Sequence, residues 1–411
     1  MKKKADLAGL TALIYSERQI SRARLAEKTQ LAPSYITLLV RRLQQKGWLF
    51  EGEHAPSKGG RRRVLLHFNP DLAHVIGIQL GRVYLRVIVT DFLGKVLSFK
   101  KLPSETREGQ AHVLELLRRE IEDCLARDPA IRGIGIAHSG MIDHANGSVI
   151  LWPRVQGWRD VPLQETIGRE FGLPTIVEDS ARTLAIAEQF FGQGKGQSDF
   201  VCVHAGVGLG AAIFIDGELY HGHDGMAGEL GHTSIDEDGD LCVCGNRGCL
   251  EVYASGSAIV DRVRKALEQG VASTLIATAV ERVENLSLEL IAAAAENHDR
   301  MCETVLEEAG TRIGMALANM VNLLNPSRII LGGALPRVAQ KTLVNSLLRS
   351  LRSRAFSRAV SRLEVVISEL GEEGPAVGAS LITIKQILHD LCIAEEAGGL
   401  CSQAKLSNPE S

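Results

Sequence analysis

GHTSIDEDGDLCVCGNRGCLE, residues 231–251, is the stretch on which the reading of this chain turns. His232, Cys242, Cys244 and Cys249 bring one imidazole and three thiols together, a soft ligand set of the kind that holds zinc tetrahedrally. Gly245 and Gly248 let the backbone wrap tightly round an ion. Because four protein ligands leave no position for water, the expectation is a structural Zn2+ and not a catalytic one. Three of the chain's 8 cysteines are packed into CVCGNRGC, which speaks for a metal site plus scattered reduced thiols rather than a disulfide framework.

Outward from this loop the hydrophobic pattern alternates between strand and helix. AHVIGIQL, LRVIVTDFLG, IRGIGIAHSG and PTIVEDS read as strands, with a helix over GQAHVLELLRREIEDCLARD. DFVCVHAG, AAIFIDGELY and RIILGGAL repeat the theme, with a long helix around AGTRIGMALANMVNLLNP. Two similar α/β halves imply a cleft between them, where a small ligand would sit. The first lobe is expected over 71–195, completed by a C-terminal helix over 376–395. The second, carrying the zinc segment, is expected over 196–375, and EEAGGLCSQAKLSNPES suggests a disordered tail over 396–411.

Residues 1–70 differ from the rest in charge. They hold 14 Lys and Arg against 5 Asp and Glu, a surplus of 9, which leaves −12 for the remainder of a chain whose net charge is −3. A solvated basic face would give the same count, but the pattern beneath it is more specific. LAGLTALIYSER and SRARLAEKTQ read as two short helices, Ser21 capping the second, and PSYITLLVRRLQQKGW as a third with Ile36, Leu39, Val40 and Leu43 facing inward. Pro33 suits its first turn and Gly47 its end. Strands at Trp48–Glu51 and Arg63–Phe68, joined by a loop with three arginines, form a wing. A winged helix-turn-helix places Ser34, Tyr35 and Thr37 at base edges, Arg41 and Arg42 at phosphates, and Arg61 and Arg62 of the wing close to the DNA backbone. Neither an apolar run of about 18 residues nor a signal peptide is read, so a cytoplasmic protein with no membrane segment is expected.

AGELGH followed by CVCGNRGCLE resembles the zinc signature of the ROK family of repressors, open reading frames and sugar kinases, and IILGGAL and VEDSARTLAIAE resemble further segments of it. The resemblance spans nearly the whole chain, since ROK repressors also place a winged helix-turn-helix with a GGRRR-like wing before the body. It implies an α/β fold of two lobes, actin-like and ATPase-type, with a sugar or sugar phosphate in the cleft and a homodimer or homotetramer. It also implies that Gly140, Asp179, Glu229, His232 and Glu251 face the sugar, His232 serving zinc through one ring nitrogen and the sugar through the other.

The same resemblance argues against catalysis. ROK kinases carry a VENDANAAALGE-like segment whose aspartate takes the proton from the sugar hydroxyl. Val177, Glu178 and Glu188 fix the register, placing Asp179 at the motif's first asparagine and Ser180 at the catalytic aspartate. A serine cannot act as that base at neutral pH, and no catalytic residue is assigned. The first glycine loop, GxDxGGTK-like in kinases, here reads GIQLGRVY, with Gln79, Arg82 and Val83 at altered positions. The second keeps Gly206, Gly208 and Gly210 but has Val207 in place of threonine, and Met141 beside Gly140 departs from the polar residue of some relatives. The expectation is a sugar-responsive repressor that binds operator DNA. The alternatives are an active ROK sugar kinase with a DNA-binding appendage and a regulator controlled by a protein partner.

Overall fold

A computed structural model of the chain describes residues 7–54, 64–153, 155–276 and 286–404. At the N-terminus α1 (Leu7–Glu17), α2 (Arg22–Thr29) and α3 (Pro33–Gln45) close round Leu10, Ile14, Leu25, Ile36, Val40 and Leu43, all fully buried. The Ser21 hydroxyl accepts the Arg24 N–H at 3.3 Å and caps α2, and Gly47 leaves α3 at φ +73°, a left-handed turn that favours glycine. β1 (Ile20–Ser21), β2 (Leu49–His54) and β3 (Val64–Phe68) form a small sheet in the order β1-β3-β2, the geometry of a winged helix-turn-helix.

The next sheet has the order β11-β7-β4-β5-β6, built from β4 (His74–Leu80), β5 (Tyr84–Thr90), β6 (Val96–Pro103), β7 (Ile131–His138) and β11 (Thr175–Asp179). β4, β7 and β11 run parallel, while β5 and β6 are added as antiparallel hairpins. α4 (Gln110–Arg127) buries Val113, Leu117 and Ile121 against Ile76 and Ile78 on one face. Beyond it lie a minor sheet of β8 (Met141–Asp143), β9 (Ser148–Leu151) and β10 (Arg159–Val161), then α5 (Leu163–Phe171). A second five-stranded sheet, β14-β13-β12-β15-β16, contains β12 (Phe200–Ala205), β13 (Leu209–Ile215), β14 (Glu218–Leu219), β15 (Arg328–Gly332) and β16 (Glu364–Ile367). The run AAIFIDGELY, read as one strand, is broken by the turn at Asp216 and Gly217, both at positive φ. The helix Arg300–Leu324 backs this sheet.

The C-terminal helix, Gly374–Ala404, returns to the first sheet and lies backbone to backbone on it. A Cβ at Gly77 would fall 2.3 Å from the Ala376 carbonyl oxygen, one at Gly135 2.1 Å from that of Ala379, and one at Gly378 1.7 Å from that of Thr183 in α6 (Ser180–Phe191). One expectation is corrected here. The helix runs through Ala404, so 396–404 is not an unstructured tail, while 405–411 lies outside the described residues. Gly374–Glu395 is long and apolar enough to cross a membrane, but its apolar side chains pack on β4, β7 and α6.

The N-terminal helical unit is seated on this body. Tyr15 lies among Phe68, Phe92 and Phe190, its hydroxyl donating to the Phe92 carbonyl at 3.0 Å. Arg18 spans the Tyr15 and Phe190 rings and donates to the Leu93 carbonyl at 2.7 Å. Thr11 meets Cys392 of the C-terminal helix at 3.0 Å, buried.

Candidate functional site

The expected zinc ligands converge. The ligand atoms of His232, Cys242, Cys244 and Cys249 all lie within 4.8 Å of one another. Cys242 Sγ is 3.7 Å from His232 Nδ1, and Cys244 Sγ is 3.7 Å from Cys249 Sγ. A tetrahedron with bonds of about 2.3 Å has edges of about 3.8 Å, so the set fits zinc. Burial, then the other two thiols, push the Cys249 thiol up to about 12, a cost that a divalent cation removes by holding the thiolates. The backbone makes room at Gly248, where φ is +67° and a Cβ would fall 1.7 Å from the Asp236 carbonyl oxygen. With Nδ1 facing the thiols, His232 presents Nε2 away from them.

The cleft residues come from both lobes. Asp179, at the end of β11, is in register with His138 of β7, two residues before the Gly140 turn. His138 is fully buried against Trp152 and Trp158, held down to about 3 by that burial and therefore neutral, and its Nδ1 accepts the Gly140 N–H at 2.8 Å. Across the cleft, Glu229 leads into the 3-10 turn Leu230–His232, and Glu251 Oε2 accepts the Leu209 N–H at 3.0 Å. A Cβ at Gly231 would meet Glu251 Oε2 at 3.3 Å, so these groups are contiguous.

Burial first, then Glu178 and Glu229, raise the Asp179 carboxyl to about 6, against the opposing pull of Arg182. Folding therefore favours its protonated form. The resulting cost is absent below the ordinary aspartate value near 4, grows from there to 6 and is full at neutral pH. Asparagine would still cap α6, as Asp179 does by accepting the Ala181 and Arg182 N–H groups at 2.8 and 3.2 Å. Asp179→Asn is expected to stabilise the protein by about 2 kcal/mol at pH 7.5, with the gain gone by pH 4, in thermal melts across that range; an unchanged difference between the two pH values would refute the assignment.

Ser180 opens α6 with 2% exposure, its hydroxyl buried and without a partner among the described residues. The phosphate loops are closed on themselves. Gln79 Oε1 accepts from Arg86 at 3.1 Å, and Arg86 and Lys101 both bind Glu372, at 2.8 and 2.5 Å. In the second loop the Gly206 N–H is taken by the Gly208 carbonyl and the Leu209 N–H by Glu251. The Gly206 and Leu209 N–H groups are therefore engaged within the chain.

On α3, Ser34, Tyr35 and Arg41 are exposed, and Thr37, half-buried, back-bonds to the Pro33 carbonyl at 2.8 Å. Arg42, expected at a phosphate, is tied to the C-terminal helix. Its Nε meets Glu395 Oε1 at 2.5 Å and its Nη2 the Glu395 carbonyl at 3.0 Å, with Lys46 on the other carboxylate oxygen at 2.8 Å. Arg42 follows the inward stripe round the helix by one step, which brings it to the C-terminal helix with its side chain still 39% exposed. Leu38 was missed. It is 65% exposed on the Ser34–Arg41 face, and as an apolar residue off the inward stripe it carried a legible signal. Arg61 and Arg62 lie outside the described residues.

Two α/β lobes about a polar cleft, with a His/Cys3 cluster in the second lobe and a three-helix unit in front, define an actin-like, ATPase-type body. The chain belongs to the ROK family, which its residues 75–386 match. It is 33% identical to the xylose repressor of Caldicellulosiruptor bescii over 91% of this chain and 94% of that one, and 30% identical to the DNA-binding transcriptional dual regulator NagC of Escherichia coli over 95% of each. Among solved structures it is similar to a ROK family transcriptional regulator, a homolog of the E. coli MLC protein, with 31% identity and a TM-score of 0.78 over 96% of this chain and 99% of that one. A ROK family glucokinase from Streptomyces griseus, solved with glucose and AMPPNP, shares 28% identity with a TM-score of 0.66 over 75% of this chain and 99% of its own.

Proposed function

We propose that the chain is a cytoplasmic, sugar-responsive repressor of carbohydrate-metabolism genes, binding operator DNA as a homodimer or homotetramer, with one structural Zn2+ per chain and no kinase activity. The observation that carries the reading is Ser180. A kinase-like cleft has lost its base while keeping Asp179, Glu229, His232 and Glu251, and the head in front of it is packed, not tethered. Carboxylates and an imidazole pair well with vicinal hydroxyls, and leaving them unpaired discriminates against the wrong epimer. Zinc would fix the orientation of His232, leaving Nε2 to donate to the sugar.

α6 starts at the cleft with Asp179 as its cap and packs along the C-terminal helix, whose far end holds α3 through Glu395. A sugar that repositions α6 thereby biases the recognition helix, and in an oligomer the spacing of two heads decides whether both half-sites are engaged. The sugar acts as an inducer in this scheme. The names of the xylose repressor and NagC and the regulator structure support repression, while the glucokinase supports the sugar cleft.

Ser34, Tyr35, Thr37 and Leu38 face the bases, with Arg41 on phosphate and Arg61 and Arg62 at the backbone. Arg41→Ala should lower operator affinity roughly tenfold and reduce the slope of log affinity against log salt by about 1, read by fluorescence anisotropy; an unchanged slope would remove Arg41 from the phosphate contacts. To test the reading as a whole, the purified protein is melted with free and phosphorylated monosaccharides, alone and with ATP. One sugar stabilising it with no ADP formed supports a sensor, and sugar-dependent ADP formation overturns it in favour of the kinase alternative.

A further inference from the structure

The register that places Ser180 at the kinase base also places Arg182 at the second asparagine of the VENDANAAALGE-like motif. Arg182 is 2% exposed, an unusual burial for a guanidinium, which has to be fully hydrogen-bonded to be tolerated there. Its Nη1 donates to His144 Nε2 and, at 3.4 Å, to His221 Nδ1; its Nη2 donates to the Gly225 carbonyl and, at 2.8 Å, to that of Ala227. Because His144 Nε2 accepts, its Nδ1 carries the proton and donates to Glu178 Oε1 at 3.0 Å, while the same oxygen lies 3.6 Å from Arg182 Nη1. His144, Glu178 and His221 would otherwise make a metal-binding triad. The guanidinium between the two imidazoles is the cation this cluster holds.

These bonds cross the cleft. Arg182, Glu178 and His144 belong to the first lobe. Gly225 and Ala227 lie in the loop between β14 and the turn that begins after Glu229. The loop is fitted to the clasp, since a Cβ at Gly225 would meet the His144 ring at 2.7 Å. Asp179 and Glu229 are close enough for Glu229 to raise the Asp179 carboxyl, although two acids left to themselves would move apart.

We propose that Arg182 is a positioning residue of the sugar site: it pins the Gly225–Ala227 backbone to α6 and so sets the separation of Asp179 and Glu229 before a ligand arrives. The assignment rests on the sugar-cleft reading only for its purpose, because the clasp itself is measurable without sugar. Asparagine, the motif's own residue, is too short to reach both carbonyls, and lysine offers one ammonium where the guanidinium supplies a planar fork.

Hydrogen exchange by mass spectrometry on the full-length protein tests it. Arg182→Asn should speed exchange of the 225–229 amides at least tenfold, Arg182→Lys less, with the C-terminal helix and Arg300–Leu324 unchanged. His144→Asn, which leaves Arg182 in place but removes its imidazole acceptor, should give a smaller rise confined to the same loop. In a second arm, D-xylose and N-acetyl-D-glucosamine are titrated against thermal stability; for whichever stabilises the wild type, Arg182→Asn should raise the half-saturating concentration at least tenfold and Arg182→Lys partly restore it. Unchanged exchange at 225–229 in a folded Arg182→Asn protein overturns the proposal. So does acceleration spread evenly over the chain in both Arg182→Asn and His144→Asn, which would make Arg182 a general stability residue. If neither sugar stabilises the wild type, the exchange arm alone decides, and it is the sugar reading that is called into question.

Discussion

Cys249→Ser is expected to reduce bound zinc from one equivalent per chain to less than about a tenth and to lower the melting temperature by 10 °C or more. Zinc ligation in small sites contributes on the order of 10 kcal/mol, and a serine hydroxyl is not deprotonated to replace a thiolate. Cys249 is fully buried, pairs with Cys244 at 3.7 Å and begins the helix Leu250–Ala254, which carries Glu251. Loss of the metal therefore releases His232 and Glu251 together. The variant should melt early and lose sugar-dependent stabilisation, with zinc measured by emission spectrometry on the same sample. Full zinc occupancy in the variant would refute the ligand assignment, and a wild type purified without zinc, and unable to take it up, would refute the site.

Gly378→Ala should cost about 3 kcal/mol, the upper end for overpacked cores, because the added methyl would sit 1.7 Å from the Thr183 carbonyl oxygen. Backbone cannot step aside as a side-chain tip does. The helix must lift from α6, and since the same helix holds α3 through Glu395, operator affinity should fall with stability. Ala376→Gly in the same turn serves as a comparison: it removes a methyl, costs about 1 kcal/mol in helix propensity and leaves the spacing alone. Chemical denaturation of both variants checks this. A Gly378→Ala protein as stable as the wild type would mean that α6 and the C-terminal helix are not packed as described.

The cluster of His232, Cys242, Cys244 and Cys249 was legible because these residues lie close in sequence, and the third N-terminal helix because Ile36, Leu39, Val40 and Leu43 keep helical period. Ser180 was legible through the register of Val177 and Glu188. What sequence could not supply were contacts between distant segments. Thr11 with Cys392 and Arg42 with Glu395 are separated by more than 350 residues and follow no local period. Nothing near Arg42 in the sequence therefore signals its bond to Glu395. The tail was misjudged for a different reason: Gly398 and Gly399 are poor helix formers, yet extending an existing helix is far easier than starting one, so the C-terminal helix continues past them. Arg182 carries no local signal, because its partners His144, Gly225 and Ala227 lie about 40 residues away on either side.

The central claim, a sugar-controlled DNA reader without phosphoryl transfer, is tested most directly by fluorescence anisotropy on a labelled duplex from the chain's own upstream region. The duplex is titrated with protein at fixed salt, with and without each monosaccharide and with ATP present throughout. Nanomolar binding that one sugar weakens at least tenfold is expected, with that sugar recovered unphosphorylated. Binding indifferent to every sugar, accompanied by stoichiometric sugar phosphate and ADP, would contradict it.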